Sequence, residues 1–272
     1  MLGDVLLAAR PRGPAIHPES RAFQLAEAGQ GRVHVVTVVE EAGASPPEVR
    51  ELGDDVAARR DTGRLGEVSV CEGEPWKMIL REARSRGVSA IVVGPSSEKT
   101  DLQETLFGQT AERLAHRAPQ PVLIVRRPAE RPYEHVLVAT DFSEGSRHAL
   151  LTAAALTPTA RLTLLHAYRV PFEGFLRDPA NERDFRQTAK GALQRFLGEH
   201  PWPEGVLERL SPQLLLGDPD EAILGLDAED PVDLAVLGAH GQTGPLEKLL
   251  GGTAERLLKR LPMDVMLVRE PR

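Results

Sequence analysis

The chain has 272 residues, 41% hydrophobic and 27% charged, with a formal net charge of -7. That is the composition of a soluble globular protein with length for two domains, and the acidic balance argues against a nucleic-acid partner, which would call for a basic face. Cys71 is the single cysteine, which excludes an internal disulfide and any multi-cysteine zinc site and fits a small apolar side chain in a reduced compartment.

Taken in chain order, the opening "MLGDVLLAARPRG" reads as a buried strand, because its apolar part is too short and lacks the basic leader of a signal peptide. Nowhere does an apolar run approach the roughly 18 residues of a membrane span. The expected location is therefore the cytoplasm, without membrane insertion. After the first strand come "GEPWKMI" from Gly73, "AIVVG" ending at Gly94, and "GQTAERLAHRAPQPVLIVRR" from Gly108.

The second half repeats these blocks in the same order. "HVLVAT" from His135 answers "DVLLAA" from Asp4, "GDPDEAI" from Gly217 answers the Gly73 block, "LAVLG" ends at Gly238, and "GGTAERLLKRLPMDVMLVRE" starts at Gly251. Ordered matches of this kind indicate duplication of a whole domain. Residues 1–127 form the first domain, 128–133 a polar, proline-bearing linker and 134–272 the second.

In the second copy, 136–140 reads as a strand and 143–156 as a helix capped by Ser143. Then follow a strand "RLTLLHAY" from Arg161, a helix near 177–197, a strand "VLERLSPQLLL", a short helix from Pro219 and a strand "VDLAVLG". A glycine-rich segment leads into a helix through Leu261, and "DVMLV" closes the copy. Alternating βα units with near-continuous apolar strands predict an α/β fold: in each copy a doubly wound, mainly parallel sheet of five strands with helices on both faces. The first copy follows the same scheme and is leaner around its second helix.

The segment "GAHGQTGPLEKLLGGTAERLL" from Gly238 sets glycines against the cost of about 1 kcal/mol that each carries inside a helix. We place the helix start at Gly252, with "PLEKLL" as a leading turn. The amides of Gly252, Thr253 and Ala254 are then donors at a helix N-terminus, which favours an anion such as a phosphate. Gly238 and Gly241 would let the backbone approach that ligand. Glycines after a strand are also ordinary turn residues, so this pattern alone leaves both readings open.

"VLVATDFSEGSRHAL" from Val136, "LLHAY" from Leu164 and the spacing of Gly238, Gly241 and Gly251 closely resemble the universal stress protein family, once per copy over nearly the whole chain. The resemblance implies two tandem Rossmann-like domains of the adenine nucleotide alpha hydrolase type, in a stress-response or signalling protein. It implies an adenine nucleotide (ATP, ADP or AMP) in the second copy, held by Ala139, Thr140, Asp141, Ala167, Gly238, His240, Gly241, Gly251, Gly252 and Thr253. A Mg ion would accompany it, with Asp141, Glu144 and Asp218 as the carboxylates within call, although none of them is spaced as a dedicated metal site. It also implies that 122–126 and 265–269 pair antiparallel, giving an intramolecular pseudo-dimer that a further homodimer could extend. The family usually places Ser or Thr directly after the third glycine; here Gly252 stands there, which leaves the choice among nucleotides open.

The first copy departs further from that pattern. Arg10 stands where Asp141 does, Ser97 replaces the second glycine, Gln109 follows Gly108, and acidic residues surround them, so a site that has lost its nucleotide is expected. Ser96, Ser97 and Lys99 remain as a possible anion cradle. His166 is expected to be a satisfied, partly buried histidine, and Trp76 and Trp202 packing residues. Walker, GxSxG and HxGH motifs are missing, which argues against an efficient enzyme. Slow ATP hydrolysis or self-phosphorylation on Ser143 or Thr253, and a nucleotide-free scaffold for a protein partner, stand as alternatives.

Overall fold

The computed structural model describes residues 3–9, 18–39, 63–94, 108–129, 131–169, 179–239 and 250–270. The first half contributes strands β1 (Val5–Ala8), β2 (Val33–Val39), β3 (Leu65–Glu72), β4 (Ala90–Val93) and β5 (Val122–Ile124). Its helices are α1 (Glu19–Ala28), α2 (Pro75–Arg86) and α3 (Gln109–Arg117). The second half contributes β6 (His135–Ala139), β7 (Arg161–Tyr168), β8 (Leu210–Leu216), β9 (Leu234–Gly238) and β10 (Asp264–Val268). Its helices are α4 (Glu144–Leu156), α5 (Pro179–Gly198), α6 (Pro219–Glu229) and α7 (Gly252–Arg260). The second helix expected in the first half falls outside the described residues.

All strands join one ten-stranded sheet in the order β3-β2-β1-β4-β5-β10-β9-β6-β7-β8. Each half is parallel throughout, and the halves meet at a single antiparallel pair, with Val265 opposite Ile124 and Leu267 opposite Val122. The expected fifth-strand pairing is therefore present within the chain. Val136 and Val138 face one layer with Ala149, Leu150 and Phe196, whereas Leu137 faces the other with Ile223 and Leu257. Both sides of each strand are apolar because helices cover both sides: α1, α4 and α5 on one, α2, α3, α6 and α7 on the other.

Several boundaries moved, each for a local reason. The strand expected from Val206 begins only at Leu210, after a 3-10 turn at Leu207–Arg209. That turn is pinned by Arg209, whose guanidinium donates to the carbonyls of Ala154, Thr157 and Ala160. β9 begins at Leu234 because Asp233 is occupied in accepting the amides of Glu134 and His135, at 2.8 and 2.9 Å. α7 ends at Arg260, since Leu261 precedes Pro262 and is extended (ψ 133°). As expected, Ser143 caps α4, accepting the Ser146 amide at 3.2 Å. Gly73 and Gly217, matched in the two copies, adopt φ of 127° and 125°, a conformation open to glycine.

The seam between the halves is more than a strand pair. Asp264, fully buried, accepts from Tyr133 Oη (2.6 Å), Arg21 Nε (3.2 Å) and the amides of Arg126 (2.7 Å) and Arg127 (3.1 Å). Arg21 also stacks over the Tyr133 ring at 3.8 Å. Burial and the neighbouring carboxylate push the Tyr133 phenol well above its ordinary pKa, so it acts as a donor. Tyr133, expected in a polar linker, is only 5% exposed and belongs to the core.

Arginines are exchanged across this seam. Arg126, from the first half, donates to the carbonyls of Leu258 and Leu261 at the C-terminal end of α7. Its equivalent Arg269 donates to Ala115 and His116 at the end of α3, at 3.1 and 2.7 Å. Each half thus supplies the cation at the negative end of the other's helix. Burial lowers the Arg126 pKa to about 10, which still leaves it charged at neutral pH.

Candidate functional site

In the second half, β6 lies between β7 and β9: Ala139 is opposite Leu165 on one side and Leu237 on the other. β6 runs into α4 on one face of the sheet, and β9 leads to α7 on the other. Between β6 and β9 the chain therefore departs in opposite directions, the arrangement that opens a crevice at the carboxyl ends of a parallel sheet. Ala139, Thr140, Asp141, Ala167 and Gly238 all fall at this end. His240 and Gly241 lie outside the described residues.

The turn after β6 is held almost entirely by its own groups. Thr140 donates its amide to Leu165 O (2.8 Å), shares a hydroxyl bond with Ser146 Oγ (2.8 Å) and accepts the Phe142 amide (2.9 Å). Its carbonyl accepts from His166 Nδ1 at 2.8 Å, so that nitrogen carries the proton. His166 is thereby satisfied, as expected, and stacks on Phe142 at 4.3 Å. Asp141 Oδ1 accepts from the amide (3.1 Å) and hydroxyl (2.5 Å) of Ser143. Between them Phe142 takes φ 63°, a left-handed conformation uncommon for a bulky residue. This strained corner turns the chain at Asp141, and the sequence reading missed it.

Gly238 has a packing role that the sequence reading did not foresee. A Cβ there would stand 3.2 Å from Gly145 C and 3.3 Å from the Ser146 amide nitrogen, so the glycine serves the close passage of α4 over β9. At its counterpart Gly94, a Cβ would stand 3.0 Å from a ring carbon of Pro18, just before α1. Close packing is thus a reason for glycine at Gly238 in its own right.

At α7 the expectation on backbone is met. Gly251 is the N-cap (φ -62°, ψ 141°), its amide donates to Ala239 O at 2.9 Å, and its carbonyl accepts from Glu255 N at 2.9 Å. Helix geometry leaves the amides of Gly252, Thr253 and Ala254 without an intrahelical acceptor. Gly252 and Thr253 are exposed, and a Cβ on Gly252 would meet nothing within 4 Å. At the start of α3, Gly108 has nearly the same geometry (φ -71°, ψ 151°). Gln109 there carries a side chain where Gly252 leaves room. Arg10, Ser96, Ser97 and Lys99 fall outside the described residues.

α7 is latched to the turn before α6. Arg256 lies 3.6 Å from Asp218 and 3.4 Å from Asp220, and Arg260 also pairs with Asp220. The first half has the same latch in another form: Arg113 pairs with Glu74, and Arg117 lies over the Trp76 ring at 4.8 Å. Trp202 packs at 5.6 Å from Phe196 and donates to Leu197 O. Of the carboxylates considered for magnesium, Glu144 is paired with Arg147 and His200, and Asp218 with Arg169 and Arg256. Cys71 is buried, and burial raises its thiol pKa, as suits a packing residue.

Comparison with known proteins agrees with this geometry. The model of the universal stress protein family matches twice, at residues 15–126 and 132–269. A universal stress protein of Thermus aquaticus is 30% identical over 139 residues, 50% of this chain and 99% of that protein. Universal stress protein E of Escherichia coli is 24% identical over 223 residues, 74% of this chain and 66% of that one. Among solved structures, a Pseudomonas aeruginosa PAO1 protein superposes with a TM-score of 0.71 at 20% identity, covering 99% of this chain and 93% of its own. A universal stress protein from Archaeoglobus fulgidus does so at 0.66 and 19% identity, covering 98% of each chain. With the doubly wound sheet, the switch point and two matches in tandem in hand, the chain belongs to the universal stress protein family.

Proposed function

We propose that the second half binds an adenine nucleotide at the carboxyl ends of β6, β7 and β9, and that the first half, residues 1–127, lacks an equivalent site and serves as its structural partner. The observation carrying this reading is the N-terminus of α7. Gly252 and Thr253 are exposed at the helix start, and the amides of Gly252, Thr253 and Ala254 have no intrahelical acceptor, beside the switch point where a nucleotide would lie. The phosphates would sit on that N-terminus, with Gly241 and His240 as further proposed contacts. The adenosine would meet Asp141, Ala139 and Ala167.

The bonds of Thr140 make it a support for the Asp141 turn. Linked through 128–133, the first half would position the seat, since Arg126 holds the far end of α7. ATP, ADP and AMP are the candidate ligands, with Mg as companion to the first two.

Denaturing the purified protein and identifying any nucleotide released is the direct test. Calorimetry on stripped protein should then show that Asp141→Asn and Gly241→Val each weaken binding of ATP, ADP or AMP more than tenfold while the circular dichroism spectrum stays unchanged. Equal affinity in both variants would remove the assigned site.

A further inference from the structure

The seam brings together three side chains from two helices remote in sequence. Glu112 and His116 stand one turn apart on α3, and Glu255 stands on α7. One ligand atom of each lies within 4.8 Å of the other two. Glu112 and Glu255 occupy the same place in the repeated "TAER", so the pseudo-twofold relation of the halves sets one against the other. His116 has Lys259 as its counterpart.

We propose that Glu112, His116 and Glu255 bind a divalent transition ion of the zinc class, fastening α3 to α7 across the seam. Two carboxylate oxygens and one imidazole nitrogen are a mixed donor set. It suits zinc or cobalt better than magnesium or calcium, which take oxygen throughout. Three protein ligands leave a fourth, tetrahedral position for water. With bonds of about 2.0–2.2 Å, the ligand atoms must close to roughly 3.5 Å from one another. Glu112 and Glu255 are 38% and 37% exposed at the side chain and have room to rotate inward. His116 Nδ1 lies 3.4 Å from the Leu250 amide nitrogen, too long a contact to hold the ring against a metal.

Lys259 already shows that a cation is favoured between these carboxylates. Its ammonium is 2.7 Å from Glu255 Oε1 and 3.8 Å from Glu112 Oε1. At 50% exposure it can swing into solvent, and surface pairs of this kind are weak. The ion and the lysine therefore compete for one position.

The test uses the full chain, stripped of nucleotide and metal by chelation, so that no metal–nucleotide complex contributes. Cobalt(II) titration is followed by its visible absorption, and zinc by competition and equilibrium dialysis. One equivalent should bind, with the absorption intensity of a four-coordinate ion. Glu112→Gln, Glu255→Gln and His116→Ala should each weaken binding about tenfold or more, while Lys259→Met should tighten it. Zinc should raise the melting temperature of the wild type and leave that of Glu112→Gln unchanged. Failure of both the wild type and Lys259→Met to bind either ion overturns the proposal, as does wild-type affinity in all three ligand variants.

Discussion

Replacing Asp264 tests what holds the two halves together. The carboxylate is fully buried and accepts four hydrogen bonds, from Tyr133, Arg21 and the amides of Arg126 and Arg127. In Asp264→Ala the guanidinium of Arg21, 6% exposed at the side chain, loses its buried counter-charge, and the amides of Arg126 and Arg127 lose their acceptor. Breaking a buried, hydrogen-bonded pair from one side costs about 3–5 kcal/mol. With roughly 2–4 °C lost per kcal/mol in a chain of this size, the melting temperature should fall on the order of 10 °C. Asp264→Asn keeps the shape and one acceptor and should lose less. Tyr133→Phe removes one bond and should cost about 1–2 kcal/mol. Combined with Asp264→Ala it should be less than additive, because both variants remove the same bond. Urea denaturation followed by circular dichroism measures all of these. A loss below about 1 kcal/mol for Asp264→Ala would refute the assignment of this carboxylate as the fastening of the seam.

Gly238→Ala places a Cβ 3.2 Å from backbone carbon of Gly145 and should destabilise by about 1–3 kcal/mol in urea melts; a neutral result would return this glycine to the ligand. Gly252→Ala meets no atom within 4 Å, so its fold should be unchanged, and any effect should be confined to nucleotide affinity measured by calorimetry. Ser143→Ala removes the cap of α4 and the hydroxyl bond to Asp141, at about 1 kcal/mol in thermal melts. His148 has its pKa lowered, first by burial and then by the charge of Arg147. Its unfolded form therefore takes up a proton more readily, and stability should fall as pH drops below about 6.5. His148→Gln should flatten that slope in melts recorded between about pH 7 and pH 5.

The repeat and the alternation of strand and helix were legible in the sequence, and the antiparallel meeting of the fifth strands was implied by the family resemblance. Periodicity and order of blocks are properties of the chain itself, and a parallel sheet buried on both faces has few ways to satisfy them. The cap at Ser143, the satisfied His166 and the helix start at Gly252 were legible too, because capping and turn chemistry are local.

Distance along the chain hid the rest. That Gly238 serves the passage of α4, that Arg126 and Arg269 exchange helix ends, and that Tyr133 enters the core all depend on contacts between segments remote in sequence. The grouping of Glu112, His116 and Glu255 was hidden for the same reason: Glu112 and Glu255 become neighbours only when duplicated helices face each other across a twofold seam. Pattern specifies which elements form and which sides they bury. Close packing of those elements then decides which polar groups meet, since a buried charge must find its partner wherever the fold places one.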